Sequence, residues 1–338
     1  MTRDNKFYQN VAYLNKWKPV LDEKSRNPEV LSKLQLELRK SDKVIKVLEC
    51  GAGTGSGLIS LIKNGTLTQA HVSAFDIDPN LVAEIPNLFQ EHALLEGWDY
   101  HNENSIKNGG KIFRVSDTSR GMDISVNTFT NSVYTLGSRQ EELEGVDLVT
   151  GQAFIEHTKM DQALDGLLRL MPKDALVYFH LNCDGWFQYS PSSSHERDEK
   201  LMGLFNDLAM NNQKFKDQFG ATIGGMAFCG RVLPYLFHDG RLNPENETGQ
   251  GELEILAFGP SDWVITPYQQ SDEELKFLEY TAAQINGVCT HPNAEDMRNK
   301  WGLTTDDAHT WYEEKLLALG NKSIGFTCVQ KDILGKKK

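Results

Sequence analysis

The residues best able to do chemistry gather between Glu49 and Asp78. Glu49-Cys50-Gly51-Ala52-Gly53-Thr54-Gly55 sets a carboxylate two positions before a run of alternating glycines, just after the apolar stretch Val44-Ile45-Lys46-Val47-Leu48. Glycines at this spacing let the backbone turn tightly and approach a ligand more closely than a Cβ would allow. Leu58-Ile59-Ser60-Leu61-Ile62 follows, apolar enough to begin a packed helix. A strand, a glycine turn and a helix in this order hold nucleotide-like ligands in open α/β sheets. Asp76 ends a second strand-like segment, His71-Val72-Ser73-Ala74-Phe75-Asp76, and is placed to accept hydrogen bonds from ribose hydroxyls.

Two ligand classes use such a turn. The dinucleotide pattern G-x-G-x-x-G/A has a third glycine that permits close helix–strand packing, and from Gly51 and Gly53 that position is Ser56, so the match is incomplete. Glu49 would also repel a pyrophosphate lying nearby. The same carboxylate suits an ammonium group. S-adenosylmethionine offers one at its amino-acid end, together with a sulfonium and no phosphate.

The elements that must position these residues alternate along the chain. Residues 1–40 are amphipathic, with Phe7, Val11, Leu14 and Trp17 at helical spacing, then Val30, Leu31, Leu34 and Leu38 after Asn27-Pro28. They either pack on the sheet or form a lid from which Tyr8 or Tyr13 reaches in. Strands are expected at Val44–Cys50, His71–Asp76, Lys111–Val115, Gly145–Thr150 and Ala175–Leu181, while Asn127–Leu136 stays unassigned. Helices are expected up to Lys63, from Asp78-Pro79-Asn80, and after Asp161. This alternation specifies a parallel sheet with helices on both faces. Residues 184–251 are polar and irregular around a helix at Glu199–Met210. Strand character returns at Leu253–Phe258 and Ser323–Val329, with helices at Asp272–Ile285 and Asp306–Leu319 between them. Lys336-Lys337-Lys338 reads as a solvated tail.

Composition narrows the partners. The 338 residues suffice for one large domain or two smaller ones. With 35 basic and 47 acidic residues the net charge is −12, which argues against a nucleic-acid backbone as ligand. No apolar run is long enough for a membrane span, and the start Met1-Thr2-Arg3-Asp4-Asn5-Lys6 is unlike a signal peptide, so a cytoplasmic protein is expected. The five scattered cysteines include no C-x-x-C pair, which excludes a disulfide framework and a structural zinc as expectations.

Four segments in order carry a family resemblance. Glu49-x-Gly51-x-Gly53-x-Gly55, Ala74-Phe75-Asp76-Ile77-Asp78-Pro79, Phe154-Ile155-Glu156-His157 and Leu168-Arg169-Leu170-Met171-Pro172-Lys173-Asp174 resemble the motifs of class I S-adenosylmethionine-dependent methyltransferases, with Asp174 in place of a usual glycine. A finer likeness runs through Asn182-Cys183-Asp184-Gly185, Gly230-Arg231-Val232-Leu233, Gly259-Pro260-Ser261-Asp262-Trp263-Val264-Ile265 and Gly325 to Asp332. It is to a bacterial group whose small-molecule substrate is unassigned. The resemblance implies a Rossmann-like, seven-stranded, mostly parallel sheet with its last strand antiparallel, helices on both faces, and helical or irregular cap insertions. It divides the chain into a helical lid (1–40), a cofactor-binding core (41–183), a cap insertion (184–251), and C-terminal core strands with an inserted helical pair (252–338).

For the site, the resemblance places Gly51, Ala52 and Gly53 at the methionine end, with Glu49 by its amino group. Asp76 would hold the ribose, Ile77 would pack on adenine, Asp117 would accept from the adenine amino group with Thr118 beside it, and Gln152 and Ala153 would border the sulfonium. His157 is the candidate base, titrating near neutrality, should the acceptor have to lose a proton. Ala153 stands where catechol-methylating relatives carry a metal-completing carboxylate, so no metal is expected. The Asp/Asn-Pro-Pro-aromatic motif of nucleic-acid and protein amino-methylating enzymes is replaced by Thr150-Gly151-Gln152-Ala153. A small-molecule acceptor would meet Asp184, Trp186, Tyr189, Arg231, His238 or Trp263. No nucleic acid or membrane partner is expected, and a homodimer is left open. A nicotinamide-dependent oxidoreductase and a nucleotide-binding module without turnover remain alternatives.

Overall fold

The computed structural model describes residues 10–107, 110–182, 184–211, 228–239 and 252–338. Tyr8, and residues 212–227 and 240–251 of the segment expected to form a cap, lie outside them. Helices α1 (Lys18–Ser25) and α2 (Pro28–Leu38) precede the sheet. Asn27 caps α2 by accepting from the N–H groups of Glu29 and Val30, with Pro28 in the first turn. There follow β1 (Ile45–Cys50), α3 (Ser56–Lys63), β2 (Gln69–Asp76), α4 (Pro79–Glu96), β3 (Asp99–Lys107), β4 (Gly110–Asp117) and β5 (Met122–Thr130). Next are α5 (Gln140–Leu143), β6 (Leu148–Gln152), α6 (Met160–Leu168), β7 (Leu176–His180), β8 (Phe187–Ser190), α7 (His195–Phe205) and α8 (Cys229–Asp239). The chain finishes with β9 (Leu253–Pro260), β10 (Trp263–Ile265), α9 (Asp272–Cys289), α10 (Glu295–Lys300), α11 (Thr305–Gly320), β11 (Gly325–Cys328) and β12 (Lys331–Lys337).

Among the described residues the main sheet has 9 strands in the order β3-β4-β5-β2-β1-β6-β7-β12-β9, and β10-β11-β8 form a second sheet. Strands β5, β2, β1, β6 and β7 run parallel, and β12 is antiparallel to both β7 and β9. From β1 the chain moves outward to β2 and β5, then returns to β6 on β1's other side. The direction reverses at β1, which opens a crevice at its carboxyl end where such sheets bind ligands. The glycine turn lies there.

The sheet corrects three expectations. It has nine strands where seven were expected, because the antiparallel pair β3–β4 extends the edge beyond β5. Lys111–Val115 lies in that added pair, and the parallel neighbour of β2 is Met122–Thr130, which takes in the start of the unassigned Asn127–Leu136. The strand expected at Ser323–Val329 joins the small sheet as β11. The antiparallel strand of the main sheet is instead β12, whose end was read as a solvated tail. Its lysines are engaged: Lys337 Nζ donates to the Leu168 and Met171 carbonyls at 2.7 and 2.8 Å, and Lys336 pairs with Asp174 at 2.8 Å.

Two apolar layers sandwich the main sheet. Leu34 of α2, Leu61 of α3 and Phe89 of α4 cover one face, and Leu167 of α6 with Phe237 of α8 cover the other. A third cluster joins the small sheet to α1, α7, α9 and α11 through Leu21, Tyr189, Leu204, Phe277 and Trp311. No helix among the described residues is long and apolar enough to cross a membrane.

Candidate functional site

The turn after β1 is built from glycine conformations and closed by Asp76. Gly51 and Gly53 have φ of +61° and +53°, a region that side chains strain to reach. A Cβ on Gly51 would also lie 2.5 Å from the Phe154 ring, so Phe154 packs directly on the turn. Ala52 N–H donates to the Phe75 carbonyl at 2.8 Å. The two Asp76 carboxylate oxygens accept from the N–H groups of Gly53 and Asp78, each at 2.9 Å. One carboxylate thereby joins the turn to the start of α4. Burial raises its pKa against these donors. Ile77 beside it is 48% exposed, leaving an apolar surface open at the crevice.

Register then gathers polar side chains on one sheet face. Glu49 pairs with Thr150, Thr150 with Tyr178, Gln152 with His180, and His180 with Asp332. Paired residues of adjacent strands point to the same side. The result is a polar stripe across β1, β6, β7 and β12, near the carboxyl edge of the parallel strands and the amino end of β12, on the α2 side. Helix α1 covers it with Lys18 and Asp22, and its C-cap residue Arg26 joins them, all buried. Arg26 Nη1 donates to the Tyr178 hydroxyl at 3.1 Å. The Gln152 amide, oriented by its partners, turns its oxygen to the same guanidinium.

Charge is matched unevenly along this stripe. At the β7–β12 end His180 Nδ1 donates to Asp332 at 2.5 Å, and Asp332 also accepts from Asn27 N–H at 2.8 Å. Asp22 pairs with Lys18 at 2.5 Å and accepts from Trp263 Nε1 at 3.2 Å. Burial alone would raise both aspartates, yet Lys18 and His180 hold Asp22 far below the usual carboxylate range, and His180 and Asn27 hold Asp332 below it. At the β1 end Glu49 is 2% exposed, and burial pushes its pKa up to about 8 against the opposing charge of Arg26 and the Thr150 hydroxyl. Its Oε2 is buried without a hydrogen-bond donor among the described residues.

These positions test how far the sequence-predicted residues converge. Glu49, Gly51, Ala52, Gly53, Asp76 and Ile77 surround the turn. Gln152 and Ala153 end the adjacent strand β6, where Ala153 takes φ +49° and donates its N–H to the His180 carbonyl at 2.9 Å. Asp117 and Thr118 do not join them. Asp117 pairs with Met122 and Asp123 pairs with Gln69, which puts Asp117 at the amino edge of β2, the end opposite Asp76. There it accepts from Ser119 N–H and Oγ at 2.9 and 2.6 Å and pairs with Arg120. The parallel strand that does end at the crevice is β5. It delivers Thr130 and Asn131, the latter donating its N–H to the Asp76 carbonyl at 3.0 Å.

The acceptor candidates are dispersed. Asp184 is buried against Arg231, 3.2 Å from its Nε, and faces the N–H groups of Gly230 and Arg231 at the start of α8. Burial raises Asp184 against these partners. Trp263 is spent holding Asp22 of α1 and packing on Phe277, with centroids 5.0 Å apart. Tyr189 is buried, its hydroxyl 2.6 Å from Thr281 Oγ1, and His238 lies exposed on α8. Trp186 lies at the start of β8. His157 is half-buried at the end of the 3-10 turn that follows β6, next to Glu156, whose Oε1 accepts from Asn182 N–H at 2.8 Å. Among the described residues no group of three or more His, Cys, Asp or Glu side chains is arranged to hold a metal ion.

No family model matches this chain. No curated protein matches it either. Among solved structures, YjhP of E. coli is 9% identical over 99% of each chain, with a TM-score of 0.40. A SAM-dependent methyltransferase from Geobacter sulfurreducens, in complex with S-adenosyl-L-homocysteine, is 9% identical over 94% of this chain and 93% of its own, with a TM-score of 0.39. The plantazolicin methyltransferase BpumL, in complex with SAH, is 11% identical over 98% and 88%, with a TM-score of 0.39.

Sequence reasoning missed Phe154 as the ring packed on the turn, Asn131 at the end of β5, and Arg26, Tyr178, His180 and Asp332 of the stripe. Phe154 stood within a motif already singled out. A signal for Asn131 was also present: Thr118–Gly121 is too short a link for a parallel crossover, which needs a dozen residues or more. Lys111–Val115 and the strand after it therefore had to be antiparallel. The contacts of Arg26 and Asp332 with residues far away in the chain leave no local pattern.

Proposed function

We propose that this chain is a class I S-adenosylmethionine-dependent methyltransferase acting on a small-molecule acceptor. The observation that carries the proposal is Glu49, a buried carboxylate beside a glycine turn, with an oxygen lacking a donor among the described residues and a pKa pushed up to about 8. A phosphate-binding turn has no use for such a group, whereas an ammonium supplies both the counter-charge and the missing donors. Asp76 fits the ribose, since each of its oxygens keeps a lone pair after serving Gly53 and Asp78. Ile77 offers its exposed face to the adenine, and Asn131 replaces Asp117 as the polar group near it. Gln152 and Ala153 border the sulfonium.

Bound in this way, S-adenosylmethionine supplies an electrophilic methyl group. The chain's task is then to hold the acceptor in line behind the methyl carbon, where most of the acceleration of such a displacement arises. His157 is the residue available to take a proton if the acceptor carries one. Helix α1 excludes water from the polar stripe by covering it. Calorimetric titration of the purified protein with S-adenosylmethionine and, separately, with NAD tests the proposal. S-adenosylmethionine binding is expected, and NAD binding in its place would overturn it.

A further inference from the structure

Arg26 occupies the joint between α1 and α2, where the backbone leaves the helix at φ −48° and ψ 131°. Its neighbour Asn27 pins that joint twice, donating its N–H to Asp332 at 2.8 Å and its Nδ2 to the Pro260 carbonyl at 2.9 Å. The Arg26 side chain is 7% exposed and reaches into the polar stripe. Its Nη1 donates to the Tyr178 hydroxyl at 3.1 Å, and that hydroxyl lies 3.3 Å from Asp332 as its donor. Both terminal nitrogens meet the Gln152 amide oxygen. Gln152 also packs on α3, since a Cβ on Gly57 would lie 2.6 Å from its amide carbon. One amide therefore touches both Arg26 and the first turn of the helix that follows the glycine turn. The same guanidinium is the charge that opposes the burial of Glu49, with the Thr150 hydroxyl assisting from β6. Cys50, next on β1, has its thiol pushed up by burial and by Glu49. Around Arg26 itself stand Tyr178, Asp22 and Asp332, which keep it charged against its burial, while Lys18 and His180 pair with the two aspartates.

We propose that Arg26 is a positioning residue for cofactor binding: it fixes the Gln152 amide at the end of β6 and brings a permanent positive charge to Glu49. The inference rests on the cofactor proposal, in which Glu49 receives the ammonium and Gln152 borders the sulfonium. Without the guanidinium, the Gln152 oxygen loses its donors. Glu49 would also hold a proton to higher pH, leaving a neutral carboxyl where an ammonium needs an anion. A planar fork with several N–H donors can serve the amide, the Tyr178 hydroxyl and the charge at once. Lysine keeps the charge and loses the fork, so the two contributions are separable.

Two measurements on the full-length protein test this. Calorimetry gives S-adenosylmethionine affinity near neutral pH. Urea denaturation across pH, of each protein with and without Glu49→Gln, gives the ionisation of Glu49 in the absence of ligand, as the pH at which the stability gained by Glu49→Gln levels off. That levelling is expected at about 8 in the wild type and about one pH unit higher in Arg26→Gln. Arg26→Gln should also bind S-adenosylmethionine roughly tenfold more weakly. Arg26→Lys should leave the profile in place and weaken binding by about threefold. A purely structural Arg26 would change stability without moving the profile. An unmoved profile in Arg26→Gln, or Arg26→Lys moving it as far as Arg26→Gln, would overturn the proposal and leave the cofactor reading intact. Wild-type affinity in Arg26→Lys would overturn the Gln152 contact, and this arm holds even where Arg26→Gln shows no urea transition. Wild-type protein that does not bind S-adenosylmethionine would overturn both readings.

Discussion

Glu49 and Asp332 lie on the same face of the main sheet, near its carboxyl edge, and both are buried, yet they titrate in opposite directions. Burial pushes both upward. For Asp332 the His180 imidazole, the Asn27 N–H and the neighbouring Arg26 reverse the effect, and its pKa falls below the ordinary value of 3.8. For Glu49 the charge of Arg26 and the Thr150 hydroxyl are not enough, and its pKa stays near 8. A buried charge with its partners complete is a fastening. One with its partners incomplete is a demand for a ligand. The β7–β12 end of the stripe thus secures α1, and the β1 end keeps a carboxyl whose burial is not fully compensated among the described residues.

The sharpest way to break this contrast is to remove the fastening. Asp332→Ala leaves His180, Arg26 and the Asn27 N–H without their shared carboxylate, and the expected loss is about 3–5 kcal/mol by urea denaturation. A loss below about 1 kcal/mol would mean that the network contributes nothing. The pH dependence has a defined sign. Asp22 and Asp332 are depressed from 3.8, so their contribution is full above that pH and disappears as pH falls through their folded values. His180 is raised from 6.5 by Asp332 and Asp22 despite its burial, so its contribution is full below 6.5 and fades as pH rises through its higher folded value. The fastening should be tightest from about pH 4 to 6.5.

Glu49→Gln probes the other end and should move stability the opposite way. With its pKa raised from 4.5 to about 8, Glu49 costs the ligand-free protein stability as pH climbs between those values. The glutamine variant should therefore be more stable at pH 8, by about 1–3 kcal/mol, while binding S-adenosylmethionine more weakly. Wild-type affinity should strengthen from pH 6 to 8 as the carboxylate ionises, and the variant should lose that slope. A variant that binds the cofactor as tightly as the wild type would remove Glu49 from the site. Asp76→Ala should cost about 1–3 kcal/mol of cofactor affinity, measured by calorimetry, because it loses the ribose acceptor and loosens the turn at once. Unchanged affinity would show that the ribose lies elsewhere.

The two ends also differ in what could be read from the sequence. The turn was legible because Glu49, Gly51, Gly53 and Asp76 belong to consecutive elements, and their hydrogen bonds join strands that are neighbours in both chain and sheet. The fastening was not, because Arg26 meets Tyr178, Asn27 meets Asp332, and Trp263 meets Asp22 only after the whole sheet has assembled. No local periodicity encodes such meetings. Strand β12 failed for a related reason: its lysines look solvated until the Leu168 and Met171 carbonyls arrive beside Lys337.

The smallest expected effect discriminates most finely between the two registers of the third strand. Were Lys111–Val115 the parallel neighbour of β2, Asp117 would stand at the crevice and Asp117→Ala would weaken the cofactor. In the sheet as formed, Asp117 pairs with Met122 at the amino edge and orders only the turn at Ser119 and Arg120. Its pKa is lowered chiefly by the Ser119 hydroxyl, a strictly local cause. Calorimetry should find S-adenosylmethionine affinity unchanged in Asp117→Ala and reduced in Asn131→Ala, whose side chain accepts from Ser132 N–H at 2.8 Å and shapes the loop leaving β5. The reverse pattern would return Asp117 to the adenine and overturn the antiparallel placement of β4.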